Sequence, residues 1–390
     1  MKKHFLVFLI MLFVTAQIYP QISVSGILDS TVSARAGAGD SPAFSCGIEE
    51  FANIRFLSRF DWGRVDGAVN LFAAAGDFAA AAAAVNPAGI AVGENYIAGI
   101  ELERLYFRLS GENVDFDFGL MRIPFGYGQV WAPSDFLNPR NPLKPDARLR
   151  GVLGSLIAWF PVDGVNFKVQ GFGAAPPDPL FKNGEGGLAG FALDQHWERI
   201  SLQWLYAFEL PKNRSMYGIH RTGLSVKADV EVGLLMDALY SYNHEGRTKW
   251  DGLSFSAGID YSFFKSKLII LAEYLYSGAT SSTAIGYGGA FSNRHYLSTA
   301  FTWVFNDITN LSLALISGFN DVSFTPLITF NRELFQGGTL TLTAQVPLDR
   351  DLFSGNGSRG ELGPIPPLLD STGERFGRYI DFSVRLRLRF

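Results

Sequence analysis

The sequence predicts an all-β chain, a transmembrane antiparallel β-barrel of about 18 strands (range about 16 to 18) with long external loops and short periplasmic turns. Three observations carry this expectation. Segments of about ten residues alternate apolar and polar side chains, the length a tilted strand needs to cross a bilayer. The connections between them alternate in length. The composition is rich in strand and turn formers, with 34 Phe, 14 Tyr, 7 Trp and 42 Gly, and aromatics favour strands while glycine marks bends.

The chain opens Met1-Lys2-Lys3-His4, followed by an apolar run from Phe5 to Val14 and then Thr15-Ala16. A basic start, a short apolar run and a small-residue cleavage context define a secretory signal peptide over 1–21, cleaved after Ala16 or Gln21. One barrel then occupies 22–390. Cys46 is the only cysteine, so no intramolecular disulfide forms. It is placed in an external connection, 35–50.

The clearest strand is the last. Ile380, Phe382, Val384, Leu386, Leu388 and Phe390 share one face, and Asp381, Ser383, Arg385, Arg387 and Arg389 the other. The pattern repeats over 199–210, 253–263, 339–346 and 53–62. A soluble sheet with such an apolar face needs a packed partner layer, and the sequence has few helical patterns to supply one. Strands start near 22, 51, 64, 100, 114, 152, 163, 187, 199, 219, 230, 252, 267, 295, 308, 322, 338 and 379. Short turns read Asp61-Trp62-Gly63-Arg64, Gly111-Glu112-Asn113, Pro161-Val162-Asp163-Gly164, Phe264-Lys265-Ser266 and Asn306-Asp307. Long connections fall at 35–50, 74–98, 122–150, 174–186, 278–294 and 347–378. With both termini periplasmic, every long connection lies outside. The stretch Ala79–Ala84 has helix propensity and suits a short turn in an external loop.

A chain that ends on Phe390 after an alternating strand resembles the C-terminal recognition strand of bacterial outer-membrane barrels, whose assembly machinery reads a terminal aromatic. Signal, terminal strand and loop rhythm together resemble the porins. Within 122–150, Arg122-Ile123-Pro124-Phe125-Gly126-Tyr127-Gly128, Trp131-Ala132-Pro133-Ser134-Asp135 and Asn138-Pro139 are similar to a Gly/Trp/Asn-Pro loop of porin-like families. The resemblance implies an outer-membrane channel of a diderm bacterium, passing small hydrophilic solutes as a monomer or trimer in the lipid bilayer; the inward arginines named below add an expectation of mild anion or sugar preference. An adhesin or structural surface barrel is the alternative.

A barrel of this size encloses water, and the charges lining it set its selectivity. Alternation points Arg55, Arg59, Arg104, Arg108, Arg385 and Arg387 inward on one side, and Glu231, Asp237, Asp260 and Glu273 inward across from them. Opposed in this way they create a transverse field. The competing reading is that they pair across strands and merely solvate the wall. Loop 122–150 is the best candidate for a lumen-folded constriction, with Arg122, Trp131, Asp135, Arg140 and Arg148 as its key residues; a plain external loop is the equal alternative. Its five prolines stiffen it by fixing φ.

A net charge of −4 offers no electrostatic footprint for nucleic acid. His196, His220, His244 and His295 have no serine-and-acid companion and no ligand spacing by sequence. The expectation is therefore no enzyme, no metal and no cofactor.

Overall fold

The computed structural model describes residues 22–37, 44–77, 89–138, 151–161, 166–175, 187–210, 218–243, 252–278, 294–319, 323–346, 348 and 379–390. The signal segment, Arg140, Arg148 and Ala79–Ala84 lie outside these residues.

The described residues form one closed antiparallel sheet: β1 (Ile22–Gly37), β2 (Phe44–Phe60), β3 (Gly63–Gly76), β4 (Gly89–Val92), β5 (Tyr96–Ser110), β6 (Val114–Met121), β7 (Val152–Trp159), β8 (Phe167–Ala175), β9 (Leu188–His196), β10 (Ile200–Glu209), β11 (Ile219–Asp229), β12 (Gly233–Asn243), β13 (Leu253–Phe263), β14 (Leu268–Ser277), β15 (His295–Asn306), β16 (Thr309–Gly318), β17 (Ser323–Phe335), β18 (Gly338–Gln345) and β19 (Tyr379–Arg389). Strand β4 is a four-residue extra that pairs only with the upper part of β5. The other 18 strands make the wall. β1 pairs with both β2 and β19, which closes the ring and leaves no edge strand.

Several boundaries differ from the sequence reading. β1 and β2 run on into 35–50, so that connection shortens to 38–43, and Cys46 is a free, exposed thiol on β2. Gly63 and Arg64 belong to β3 and continue the β2 ladder. The strand read near 230 starts at Gly233, after a three-residue turn.

Alternation decides which side chains face out. Phe382, Val384 and Leu386 of β19, Leu153, Ile157 and Trp159 of β7, and Leu234 and Met236 of β12 are all exposed. No second layer covers them, as expected of a surface that meets acyl chains. Aromatics gather at both rims. Trp62, Trp159, Trp197, Phe263, Phe264, Trp303 and Phe335 sit at or beside the short-turn ends. At the other rim the Tyr206 hydroxyl meets His220 Nδ1 at 2.7 Å, and the Tyr274 hydroxyl meets His295 Nδ1 at 2.6 Å. Amphipathic rings hold this level because one end prefers lipid and the other water.

Candidate functional site: the inward loop and the arginine wall

After Met121 the chain does not turn over the rim but enters the barrel. The described part of the loop, 122–138, crosses the interior and is held chiefly by the inner faces of β10 to β14. Gly126 N–H donates to Gln203 Oε1 on β10 (2.7 Å). Glu273 on β14 accepts three successive backbone N–H groups, from Gln129 (3.1 Å), Val130 (3.0 Å) and Trp131 (2.7 Å). Asp237 on β12 accepts from the Ser134 hydroxyl, from Ser134 N–H (3.4 Å) and from Ser225 Oγ (2.9 Å). Ser256 on β13 donates to the Trp131 carbonyl (3.1 Å).

Two internal bonds fix the loop's own shape. Ile123 N–H donates to Asn138 Oδ1 (3.0 Å) and Phe125 N–H to Asp135 Oδ1 (3.4 Å). Gly126 takes φ +78°, a conformation costly for any residue with a Cβ. At Gly128 a Cβ would run into the Trp131 carbonyl.

Packing complements these polar anchors. Ile123, Phe125, Phe136 and Leu137 join Phe172, Leu188, Ala192, Leu205, Ala207 and Leu239 in one apolar cluster. Trp131 stacks at 5.6 Å on Tyr296, beside Leu275 and Ile316. Arg221 lies 5.1 Å above the Phe136 ring and pairs with Glu209 at 2.6 Å. The inner wall from β7 to β16 is thus partly apolar, and the loop is what covers it. Burial pushes the Tyr127 hydroxyl up to about 12, with Asp194 adding to the effect. Burial lowers the Arg122 guanidinium from its ordinary value, opposed by Glu103.

This geometry corrects the expected transverse field. Asp237 (0% exposed) and Glu273 (1% exposed) do point inward, but they lie beneath the loop and serve its backbone rather than open water. A buried carboxylate is tolerable only when hydrogen-bonded, and these two meet that need with loop N–H and hydroxyl donors. Asp260 accepts from Gln129 Nε2 at 3.3 Å. Glu231 is not on the wall at all; it is exposed in the turn between β11 and β12.

The basic residues divide into two sets. Arg104 pairs with Asp66 (2.8 Å), Arg108 grips Asp117 with two nitrogens (2.6 and 2.5 Å), Arg387 grips Asp29 likewise (2.7 and 2.8 Å), and Arg122 meets Glu103 (3.2 Å). For these the cross-strand pairing reading is the better one. Among the described residues Arg55 donates to Asn53 Oδ1 (2.8 Å), and Arg59 is exposed near the turn. Arg385 stands on β19 directly opposite Thr31 and Thr341. In the loop, Trp131 and Asp135 (1% exposed) are buried.

Alternation missed several residues of the site. Glu103 is 2% exposed and accepts from Asn53 and Arg122. A register shift opposite Ala68 and Val69 puts Glu103 and Arg104 on the same side, as bulges do. Arg64 was hidden in an apparent turn. Ser134 and Gln203 carried no signal beyond being polar. Among the described residues, no group of three or more His, Cys, Asp or Glu is placed to hold a metal.

Together these features define a class: a closed 18-stranded antiparallel barrel with a loop folded into its interior. No protein-family model matches the chain, and no curated protein does. Crystal structures with the same fold do exist. A BenF-like porin from Pseudomonas fluorescens Pf-5 is 8% identical over 95% of this chain and 99% of its own, with a TM-score of 0.57. OccAB4 from Acinetobacter baumannii is 10% identical over 95% and 98%, with a TM-score of 0.57. OccK7 (OpdD) from Pseudomonas aeruginosa is 11% identical over 95% and 99%, with a TM-score of 0.54. At such identities the likeness is one of fold. This chain has the porin barrel.

Proposed function

We propose that the chain is an outer-membrane channel for passive diffusion of small hydrophilic solutes, with a preference for anions. The single observation carrying this reading is the inner wall left uncovered by the loop. It presents Arg55, Arg59 and Arg385 on β2 and β19, beside the Arg387–Asp29 pair, with serine and threonine on the inward positions of β1 and β16–β18, while Asp237 and Glu273 opposite are engaged by the loop. An electropositive passage between low-dielectric walls concentrates anions. The porin titles of the similar structures support the same reading.

On this reading residues 1–21 direct export and the strand ending in Phe390 is the signal for barrel assembly. The loop from Arg122 onward, with Trp131 and Asp135 and including Arg140 and Arg148, narrows the passage. No step of the function calls for catalysis or a cofactor. Reconstitution tests it. Purified protein should make liposomes permeable to small sugars and amino acids, and planar bilayers should show a reversal potential favouring chloride over potassium. A barrel serving as an adhesin with a plugged lumen would give neither swelling nor conductance. Neutralising Arg55, Arg59 and Arg387 together should reduce the chloride preference, and an unchanged reversal potential would remove the arginine wall from the mechanism.

A further inference from the structure

Arg59 and Arg64 stand directly opposite each other on β2 and β3, and Arg64 stands directly opposite Arg108 on β5. Three arginines therefore share one row across three adjacent strands, beside the turn at 61–62. Like charges directly opposed on a sheet repel. Arg108 is neutralised by Asp117. Arg59 and Arg64 are not: among the described residues neither has an ion-pair partner, and the nearby Asp66 is engaged by Arg104. Arg64 reaches only the Tyr106 hydroxyl, at 3.3 Å through Nη2, and its Nε is enclosed with no acceptor.

Two arginines directly opposed on neighbouring strands, one with an enclosed donor lacking an acceptor, carry two positive charges with no ion-pair partner among the described residues, at the short-turn mouth of the barrel. We infer that this pair is a binding site for a small oxyanion bearing two negative charges, such as a phosphate or a dicarboxylate. The inference rests on the channel reading above and deepens it by naming a solute class. Guanidinium forks match the paired oxygens of carboxylates and phosphates, and the double charge of the ligand matches the double charge of the site. The Tyr106 hydroxyl, already bonded to Arg64, supplies a third polar group at the same place. A solute leaving the passage at this end meets these groups beside the turn.

The test uses the full-length protein in planar bilayers carrying chloride current, with inorganic phosphate, succinate or acetate added to the short-turn side. Phosphate or succinate should block at concentrations on the order of tenfold below acetate, the ratio expected of one additional charge-assisted hydrogen bond. Block by only one of the two dianions identifies which chemistry the site takes. Arg59→Gln with Arg64→Gln should erase the difference from acetate, whereas Arg59→Lys with Arg64→Lys should keep part of it. Arg332→Gln, on the outward face of β17, should change nothing. Equal block by acetate, or dianion block surviving the double glutamine variant, overturns the inference. Calorimetric titration of the detergent-solubilised protein with phosphate reads the site without conduction. Heat of binding in a barrel that does not conduct would sink the channel reading and leave the site standing, while current without dianion preference would do the reverse.

Discussion

The two halves of the inner wall use charge in opposite ways. From β7 to β16 the wall is apolar between its acids, and the carboxylates of Asp237 and Glu273 are buried against backbone N–H and serine hydroxyls of the inward loop. On β19, β1, β2, β3 and β5 the wall is arginine-rich. There the charges either pair across strands or stay uncompensated in the open space. The same alternation puts charged side chains inward in both halves. What separates them is whether a second layer of chain arrives to desolvate them. An inward charge on a strand thus has two fates, anchor or lining, and the pattern of one strand does not choose between them.

The largest effect should come from breaking the anchor half. Glu273→Ala removes the acceptor of three backbone N–H groups, and the buried Trp131 N–H alone costs about 1–3 kcal/mol when left unpaired. We expect several-fold larger, noisier single-channel currents and a lower unfolding temperature in heat-shifted gels; currents of wild-type size would show that the loop stays in place without it. Gly128→Val should act similarly, because a side chain there collides with the Trp131 carbonyl. An intermediate effect is expected of Asp237→Ala, which removes three hydrogen bonds from Ser134 and Ser225 and leaves them the longer bonds to each other and to the Ala238 carbonyl, at a cost of about 1–3 kcal/mol. Ser134→Ala should cost less, and a double-mutant cycle by denaturant titration would show coupling between the two positions. On the lining half, Arg55→Gln should alter ion selectivity while leaving the unfolding temperature within a degree or two, since among the described residues its side chain is held by the Asn53 amide oxygen alone. Arg387→Ala strips the two-nitrogen partner from Asp29, whose side chain is largely buried, so it should lower the unfolding temperature more than Arg55→Gln does while leaving currents of wild-type size. Currents as large and noisy there as in Glu273→Ala would undo the division of the wall into two kinds.

The barrel itself was legible because lipid outside and water inside impose one period on every strand. The starts read at 22, 114, 152, 219, 295, 338 and 379 coincide with observed strand starts. Prolines and aromatics marked 122–150 as a candidate for entry, but they fit an external loop equally well. The role of its anchors was not. Glu273 reads as a lining acid on β14 until a segment far away in sequence donates its N–H groups, and no local pattern encodes that meeting. Glu103 was lost for a different reason: one extra residue in β5 reverses the parity that assigns faces. Arg64 was lost because a turn of two residues, 61–62, was read as four.

The bond between the chain's two ends has a kinetic consequence. Phe390 N–H donates to the Gly26 carbonyl at 3.1 Å, Gly26 N–H returns a bond to the Phe390 carbonyl at 2.8 Å, and the terminal ring lies over Gly26. The first strand therefore lacks a partner on one side until β19 is in place. Until then β1 offers a bare row of donors and acceptors to any other strand. Sealing the ring is a long-range, entropically slow event, so this margin stays open through most of folding. Trimming the last residue should lengthen that exposed interval more than it weakens the finished cylinder.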